Sequence, residues 1–227
     1  MVDIVVAIDG FSGTGKSSTA KKVARALGYT YIDSGAMYRC VAYYFINHQI
    51  DFEQEKEVAA ALDDILISFQ FNTMLNTSEI LLNKKIMDYQ IRRPEVDEIV
   101  SQIAAKPLIR KAMVDRQQKL GLGKKMVMDG RDIGTKVFPD AALKIFMTAD
   151  LHIRSMRRQK ELEEQGIQVN IEKIKRNLAK RDDLDANRSE SPLIKAKDAI
   201  TLDSSYLTLE DQVKKIVDIA KKIIYEG

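Results

Sequence analysis

The sequence predicts an α/β protein with a doubly wound sheet of five parallel strands. Five short apolar runs alternate with segments of helical periodicity, as in strands joined by crossover helices. The first run is continuously apolar, which is typical of a strand that is buried on both faces of a sheet. The runs lie at residues 4–8, 29–32, 126–129, 143–147 and 199–203.

The helical segments carry start and stop signals. After Lys16, four apolar residues recur at i, i+3, i+4 and i+7, and Gly28 is placed to end that helix. A second apolar pattern, from Met37 to Phe45, predicts a helix after the second strand. Near the carboxyl end, Thr208 and Asp211 form a capping-box pattern ahead of a final amphipathic helix.

Between the second and third parallel strands the pattern changes. Apolar and polar residues alternate over 65–71. Two further apolar runs, 80–82 and 86–87, are separated by the polar residues 83–85. Together they predict a small antiparallel meander. Two helices follow, one starting near Pro94 and one after Pro107. Arginine-rich helical segments occupy roughly 151–186.

We therefore expect one domain, 1–227, in three parts. The core would comprise 1–55, 107–150 and 190–227. A mixed α+β insert would occupy 56–106, and a short helical lid 151–189.

Composition excludes several protein classes. With 45% hydrophobic and 30% charged residues, the chain is neither disordered nor collagen-like. Its net charge of +3 gives no argument for a nucleic-acid or membrane partner. The single cysteine, Cys40, cannot form an internal disulfide and lies in an apolar helical stretch, so we expect a core residue in a reducing compartment. No run is long enough to span a membrane, and the expected location is the cytoplasm.

Residues 10–17 read G-F-S-G-T-G-K-S and follow a buried strand, which is the phosphate-loop pattern in its usual context. Loop amides and the following helix N-terminus would bind nucleotide phosphates. Lys16, expected at the loop surface, would reach the β- and γ-phosphates, and the Ser17 hydroxyl would bind Mg²⁺. The alternative is a glycine-rich turn that matches by chance. The predicted ATP site comprises Gly10, Phe11, Ser12, Gly13, Thr14, Gly15, Lys16, Ser17 and Ser18.

The class of nucleotide-binding protein can be narrowed further. No Asn-Lys-x-Asp guanine clamp is present, and the chain is short for a motor or helicase. Eleven of the 13 arginines lie between Arg92 and Arg188, as expected where two anionic substrates must be brought together. This favours a small-molecule phosphotransferase.

Three polar clusters occur at 33–39, 129–135 and 181–188, the first two directly after parallel strands. Open sheets bind their ligands at that edge. Taken singly, each cluster has another explanation: a solvated charge for Arg39, a helix cap for Asp129, and an exposed charged helix end for the third.

Together, the phosphate loop and the motifs D-S-G-A-x-Y-R, D-G-R-D-x-G-T and R-D-D-x-D-x-N-R resemble the bacterial cytidylate kinases of the nucleoside monophosphate kinase superfamily. The resemblance covers nearly the whole chain and implies a P-loop NTPase fold. It also implies Mg²⁺-dependent transfer of a phosphoryl group from ATP to CMP or dCMP. Other small-metabolite kinases, such as those for shikimate or gluconate, and a nucleic-acid-linked ATPase remain alternatives. ATP and CMP or dCMP are the expected partners of a monomer, with no nucleic acid or membrane.

The resemblance also implies residue roles. Asp132 would accept the cytosine amino group, and Ser34, Arg110 and Arg188 would line the rest of the base. Arg181 and Asp185 would face the sugar, and Arg39 and Arg131 the monophosphate. The remaining implied CMP contact is Tyr38. Lid arginines Arg154, Arg157 and Arg158 would close over the ATP, and the catalytic set would be Lys16, Arg131, Arg158 and Arg181.

Overall fold

The computed structural model describes residues 2–72, 77–123, 125–164 and 166–226. Its strands are β1 (Val5–Gly10), β2 (Thr30–Asp33), β3 (Ile67–Asn72), β4 (Thr77–Leu82), β5 (Lys85–Ile86), β6 (Met126–Gly130), β7 (Leu143–Thr148) and β8 (Ile200–Asp203). Its α-helices are α1 (Lys16–Leu27), α2 (Ser34–His48), α3 (Glu55–Asp64), α4 (Pro94–Ala105), α5 (Pro107–Leu120), α6 (Leu151–Glu164), α7 (Ile171–Asn187) and α8 (Leu209–Glu226).

The five predicted parallel strands form one sheet in the order β2-β6-β1-β7-β8, with every neighbouring pair parallel. The α/β fold class is therefore confirmed. Strand ends differ from the expected ones by one or two residues, because the apolar run stops before the backbone pairing does: β1 continues through Asp9 and Gly10.

Helices cover both faces of this sheet. On one face, α1 and α8 pack against alternate β1 side chains such as Val6 and Ile8. On the other face, Val5 and Ala7 pack with residues of β6 and of the turn that follows it. Successive β1 side chains point to opposite faces, so both helix layers depend on this one strand.

The expected helix boundaries of α1 and α8 are confirmed. Gly28 ends α1 in the left-handed region, with φ 68°. At the start of α8, the Asp211 amide donates to Thr208 Oγ1 and the Thr208 amide donates to the Asp211 carboxylate, which is the expected capping box.

The predicted meander is a separate three-stranded antiparallel sheet of β3, β4 and β5. Asn83 and Lys84 join its last two strands with φ values of 49° and 67°, as the tight turn of a hairpin requires. The apolar side of this sheet packs against α2 and α4. Helix α3 was not predicted, and it packs Val58, Ala61 and Leu62 into the same cluster.

The arginine-rich segment forms two helices, α6 and α7, which pack against each other. Gln165, inside the predicted helical range 151–186, lies outside the described residues. No helix in the described ranges is long and apolar enough to cross a membrane.

Candidate active site

The phosphate loop joins β1 to α1. A side chain at Gly10 would overlap the Met147 carbonyl on the neighbouring strand, and Gly13 and Gly15 have φ values of 74° and 88°. Glycine is therefore required sterically at the first position and conformationally at the other two. The Phe11 ring packs edge-on against Phe146, with 5.9 Å between the ring centroids.

Lys16 is buried, so its expected placement at the loop surface was wrong. It is 5% exposed, because the loop backbone folds over it and accepts its ammonium proton: Nζ donates to the Phe11 carbonyl at 2.7 Å. Burial and the neighbouring Arg131 lower the pKa of Lys16. Within the loop, the ammonium group is bonded to an uncharged carbonyl oxygen. A bound phosphate would supply a full negative charge there.

The rest of the loop is bonded to elements from across the chain. Thr14 Oγ1 donates to the Phe11 carbonyl at 3.0 Å, and the Thr14 carbonyl accepts a bond from Ser204 Oγ at 2.8 Å. Ser12 Oγ accepts a bond from Arg131 Nη2 at 2.7 Å. The loop is therefore held from the β8 side and from the β6 side, whereas the Ser18 side chain is exposed.

Two lid residues contact the same loop. Arg154 Nη1 donates to the Ser12 carbonyl at 3.0 Å and to Asp182 Oδ2 at 2.5 Å. The Ser12 amide donates to Asp182 Oδ1 at 3.2 Å. The Asp182 carboxylate thus accepts a hydrogen bond from a loop amide. Amides of such a loop are the groups that would bind a nucleotide phosphate.

Ser17 Oγ donates to Asp129 Oδ2 at 2.8 Å, and Tyr31 OH donates to Asp129 Oδ1 at 2.9 Å. Asp129 lies within strand β6 and is bonded to these side chains, so the helix-cap interpretation of this residue was wrong. Burial and the neighbouring Asp33 raise the pKa of Asp129. Within the described residues no group of three or more His, Cys, Asp and Glu side chains could hold a metal ion. The Ser17–Asp129 pair offers two oxygen atoms, which suits an ion that keeps most of its water ligands.

A cleft opens next to the loop, between α2, α4 and the end of β6. It brings together all nine residues that the sequence predicted for the CMP site. They are Ser34, Tyr38, Arg39, Arg110, Arg131, Asp132, Arg181, Asp185 and Arg188.

The closed end of this cleft carries a buried ion pair. Arg110 Nη1 lies 2.9 Å from Asp132 Oδ2, and both side chains are at most 4% exposed. The rest of the Arg110 guanidinium donates to the Ala104 carbonyl and to Tyr38 OH, so its orientation is fixed. Arg188 Nη2 approaches the other Asp132 oxygen at 3.8 Å. Asp132 is therefore an oriented acceptor between two cations.

Asp185 occupies the middle of the cleft. Arg131 Nε donates to its Oδ2 at 2.7 Å, and Arg188 Nη1 to its Oδ1 at 3.3 Å. Burial alone would raise the pKa of Asp185, but Arg131 and Arg188 outweigh burial and hold the pKa below its usual value. The carboxylate is therefore ionised at neutral pH, and the exposed-helix-end interpretation of this motif was wrong for Asp185 and Arg188.

Comparison with known proteins agrees with this geometry. The family model for cytidylate kinase matches residues 6–222. The chain belongs to the cytidylate kinase family. A cytidylate kinase of Cytophaga hutchinsonii is 52% identical over 97% of this chain and 94% of its own. One of Parabacteroides distasonis is 47% identical over 99% of both chains. A shikimate kinase structure from Bacteroides thetaiotaomicron aligns with a TM-score of 0.51 at 11% identity over 97% and 99% of the two chains, and it shows the fold alone.

Membership of the cytidylate kinase family confirms the resemblance, whereas the individual residue roles remain predictions. The lid arginines differ among themselves. Arg154 contacts the phosphate loop, and Arg158 pairs with Asp97 on α4. Arg157 instead donates to the Ser204 and Ser205 carbonyls, at 2.6 and 3.3 Å, on the segment after β8. The structure shows Arg157 holding this segment in place.

Four further residues were not predicted. Asp9 is buried under the turn after β6 and accepts the amides of Ile133 and Gly134 at 2.8 and 2.7 Å. In the sequence, Asp9 could have been found as an acidic residue at the end of an apolar strand. Asp97 and Ser101, one helical turn apart on α4, also face the cleft region, Ser101 as a lining residue. Their i, i+4 spacing places them on one side of α4, but Glu95, Glu98 and Gln102 are also polar, so the sequence did not single them out. Asp182 had only the charged run as a signal.

Proposed function

We propose that this chain transfers the γ-phosphoryl group of ATP to CMP or dCMP, giving ADP and CDP or dCDP in pyrimidine nucleotide metabolism. The observation that carries the proposal is the buried Asp132 between Arg110 and Arg188, at the end of a cleft that opens beside a phosphate loop. Family membership supports the same reaction.

The buried pair suits cytosine in particular. Cytosine offers a donor at its 4-amino group and acceptors at N3 and O2, whereas uracil presents an acceptor and a donor at the first two positions. The Asp132 carboxylate would accept the amino proton, and the neighbouring arginines and Ser34 would serve the rest of the base. Asp185 would accept from a ribose hydroxyl without requiring one at the 2′ position, so both CMP and dCMP would be substrates.

Arg131 lies between the two halves of the site, with Nη2 on the loop residue Ser12 and Nε on Asp185. A cation in this position would neutralise charge on both the transferred and the acceptor phosphate. Lys16, Arg158 and Arg181 would complete that role. The acceptor oxygen is already anionic at neutral pH, so no general base is required. Catalysis would rest on positioning and charge neutralisation, without a covalent enzyme intermediate.

Mg²⁺ fits the Ser17–Asp129 pair, because a hydroxyl and a carboxylate are the oxygen ligands that this ion prefers. The bound ion would neutralise charge on the β- and γ-phosphates of ATP. Ser17 would bind it, and Asp129 would accept from its water ligands.

We also propose the three-part organisation: a core, a monophosphate-binding insert over 56–106, and a lid over 151–189 that closes when both substrates bind. We also propose that the enzyme is a monomer. The lone thiol, Cys40, is fully buried, and burial raises its pKa to about 12, which suits a structural residue in a reducing compartment such as the cytoplasm.

An acceptor panel in a coupled ADP-release assay tests the reaction. We expect rapid ADP release with CMP and dCMP, much slower release with UMP, AMP and GMP, and none with shikimate or gluconate. Preferred turnover of any other acceptor would overturn the substrate assignment. ATP hydrolysis that is stimulated by nucleic acid and by no small acceptor would overturn the kinase assignment.

A further inference from the structure

Three arginines of the proposed phosphate end of the site converge on one carboxylate, that of Asp97. Arg39 Nη2 lies 2.5 Å from Asp97 Oδ1, and Arg158 Nη2 lies 3.0 Å from Oδ2. Arg181 Nη1 approaches Oδ1 at 3.9 Å. From the sequence, Arg39 was expected to bind the acceptor monophosphate, Arg158 to close over the ATP, and Arg181 to face the sugar.

The four residues lie on four different helices. Asp97 is in the first turn of α4, where the helix dipole favours a negative charge. Arg39 is on α2, Arg158 on α6 and Arg181 on α7. A single side chain of the insert therefore connects the core and both lid helices.

The arginines are incompletely neutralised by this carboxylate. The second nitrogen of Arg39 donates to the Ile91 carbonyl, and that of Arg158 to the exposed Glu161. Arg181 Nε is buried and has no hydrogen-bond partner among the described residues. The Asp97 carboxylate is shared by three guanidinium groups, of which, in the described ranges, Arg158 alone has a second carboxylate partner, the exposed Glu161. A phosphate would bring more charge and more acceptor oxygens.

The Asp97 carboxylate is itself ionised at neutral pH. Burial would raise the pKa of Asp97, but Arg39, Arg181 and Arg158 together outweigh burial and lower it. The side chain is 21% exposed, so solvent reaches it, and it pairs with Arg39 and Arg181, which line the cleft.

We infer that Asp97 is a positioning residue that acts as an internal counter-ion for Arg39, Arg158 and Arg181 until the acceptor phosphate displaces it. This inference rests on the proposed function and adds to it a substrate-linked exchange of anions. Ion pairs that are present only in the free enzyme oppose phosphate binding, because they must be broken first. The same pairs link α4 to α6 and α7 before any substrate is present.

Ligand binding to Asp97→Asn tests the exchange. We expect the Kd for CMP to fall about 5-fold, since the competing charge is gone, while the Kd for cytidine, which has no phosphate, changes less than about twofold. Two matched variants remove a charge elsewhere. Glu161→Gln removes the other partner of Arg158, and Glu98→Gln removes an acid from α4. Both should bind CMP as the unmodified enzyme does. Weaker CMP binding by Asp97→Asn, or equal changes for CMP and cytidine, would overturn the inference.

A second measurement needs no nucleotide. Hydrogen exchange of the ligand-free protein should show faster exchange in α6 and α7 for Asp97→Asn, and normal protection for Asp97→Glu and Glu161→Gln. Unchanged exchange in Asp97→Asn would overturn the inference even if CMP is a good substrate. Faster exchange, in a protein that fails to phosphorylate CMP, would support the counter-ion role and count against the proposed reaction alone.

Discussion

The Ser17 hydroxyl lies 2.8 Å from the Asp129 carboxylate, although 112 residues separate them in the chain. Ser17 lies in the first turn of α1, and Asp129 is the last but one residue of β6. Parallel pairing of β1 with β6 places both at the same edge of the sheet. The contact is therefore a product of sheet register, and it brings a hydroxyl oxygen and a carboxylate together.

Replacing Ser17 by alanine should raise the Mg²⁺ concentration needed for half-maximal activity by about 10-fold or more, because one direct ligand is lost. Activity measured across a Mg²⁺ titration at saturating ATP checks this. Ser17→Thr restores a hydroxyl and should keep a nearly normal requirement. An unchanged Mg²⁺ dependence in Ser17→Ala would show that this hydroxyl does not bind the ion.

Loss of the Lys16 ammonium should lower turnover on the order of 10²-fold or more, since the charge that faces the transferred phosphate is removed. Because Lys16 is buried, Lys16→Met is the better test than Lys16→Ala: methionine refills the space of the aliphatic stem. Circular dichroism and thermal unfolding confirm that each variant folds. Near-normal activity in a folded Lys16→Met protein would contradict the phosphate-loop assignment.

Asp132→Ala should lower kcat/KM for CMP by roughly 10²-fold or more while leaving the KM for ATP nearly unchanged. It should also narrow the preference for CMP over UMP, because the uracil O4 acceptor no longer meets a carboxylate. Steady-state kinetics with both acceptors measures the ratio. An unchanged ratio would mean that Asp132 does not read the base.

Removing one partner of the buried Arg110–Asp132 pair also destabilises the fold, typically by about 3–5 kcal/mol. Asp132→Asn retains an oxygen acceptor for Arg110 and serves as the milder variant. A loss of CMP selectivity in folded Asp132→Asn separates base reading from stability.

The raised pKa of Asp9 predicts that the free energy of unfolding depends on pH. Burial, opposed by the two amide bonds from Ile133 and Gly134, raises the pKa of Asp9 from 3.8 to about 6. The folded protein therefore binds this proton more tightly than the unfolded chain does. The stabilising contribution is fully present below pH 3.8 and is lost as the pH rises through about 6, an effect of about 3 kcal/mol.

Urea denaturation of the unmodified protein and of Asp9→Asn, at several pH values from 4 to 7, checks this. The free energy of unfolding of the unmodified protein should fall relative to that of the variant across this range. A difference that stays constant with pH would show that Asp9 does not titrate there.

Features that depend on residues close together in the chain could be predicted from the sequence. The phosphate loop was predictable because its glycines and the flanking strand and helix lie within one short stretch of chain. The parallel sheet was predictable because its strands are mostly apolar and alternate along the chain with segments of helical periodicity. Asp132 and Arg188 were placed together through a family resemblance, since nothing local to either residue indicates the other.

Contacts between distant side chains were not predictable. Lys16 looked like a surface residue because its burial depends on how the loop folds over its Nζ. Arg157 and Arg158 are neighbours in one basic run, yet one reaches the segment after β8 and the other Asp97. Their difference arises from the packing of α6, which a charge pattern does not encode. The short helix α3 was hidden because the antiparallel alternation that follows it dominates the pattern of the insert.

The strand order also has a consequence for how the protein is made. Within the described residues, strand β1 carries the phosphate loop and pairs with β6 and β7, which begin at Met126 and Leu143. On the ribosome, β1 is therefore synthesised well before either partner strand. We expect an arrested nascent chain that ends before Met126 to have an unpaired phosphate-loop strand, and we expect nucleotide binding only after β7 has left the exit tunnel.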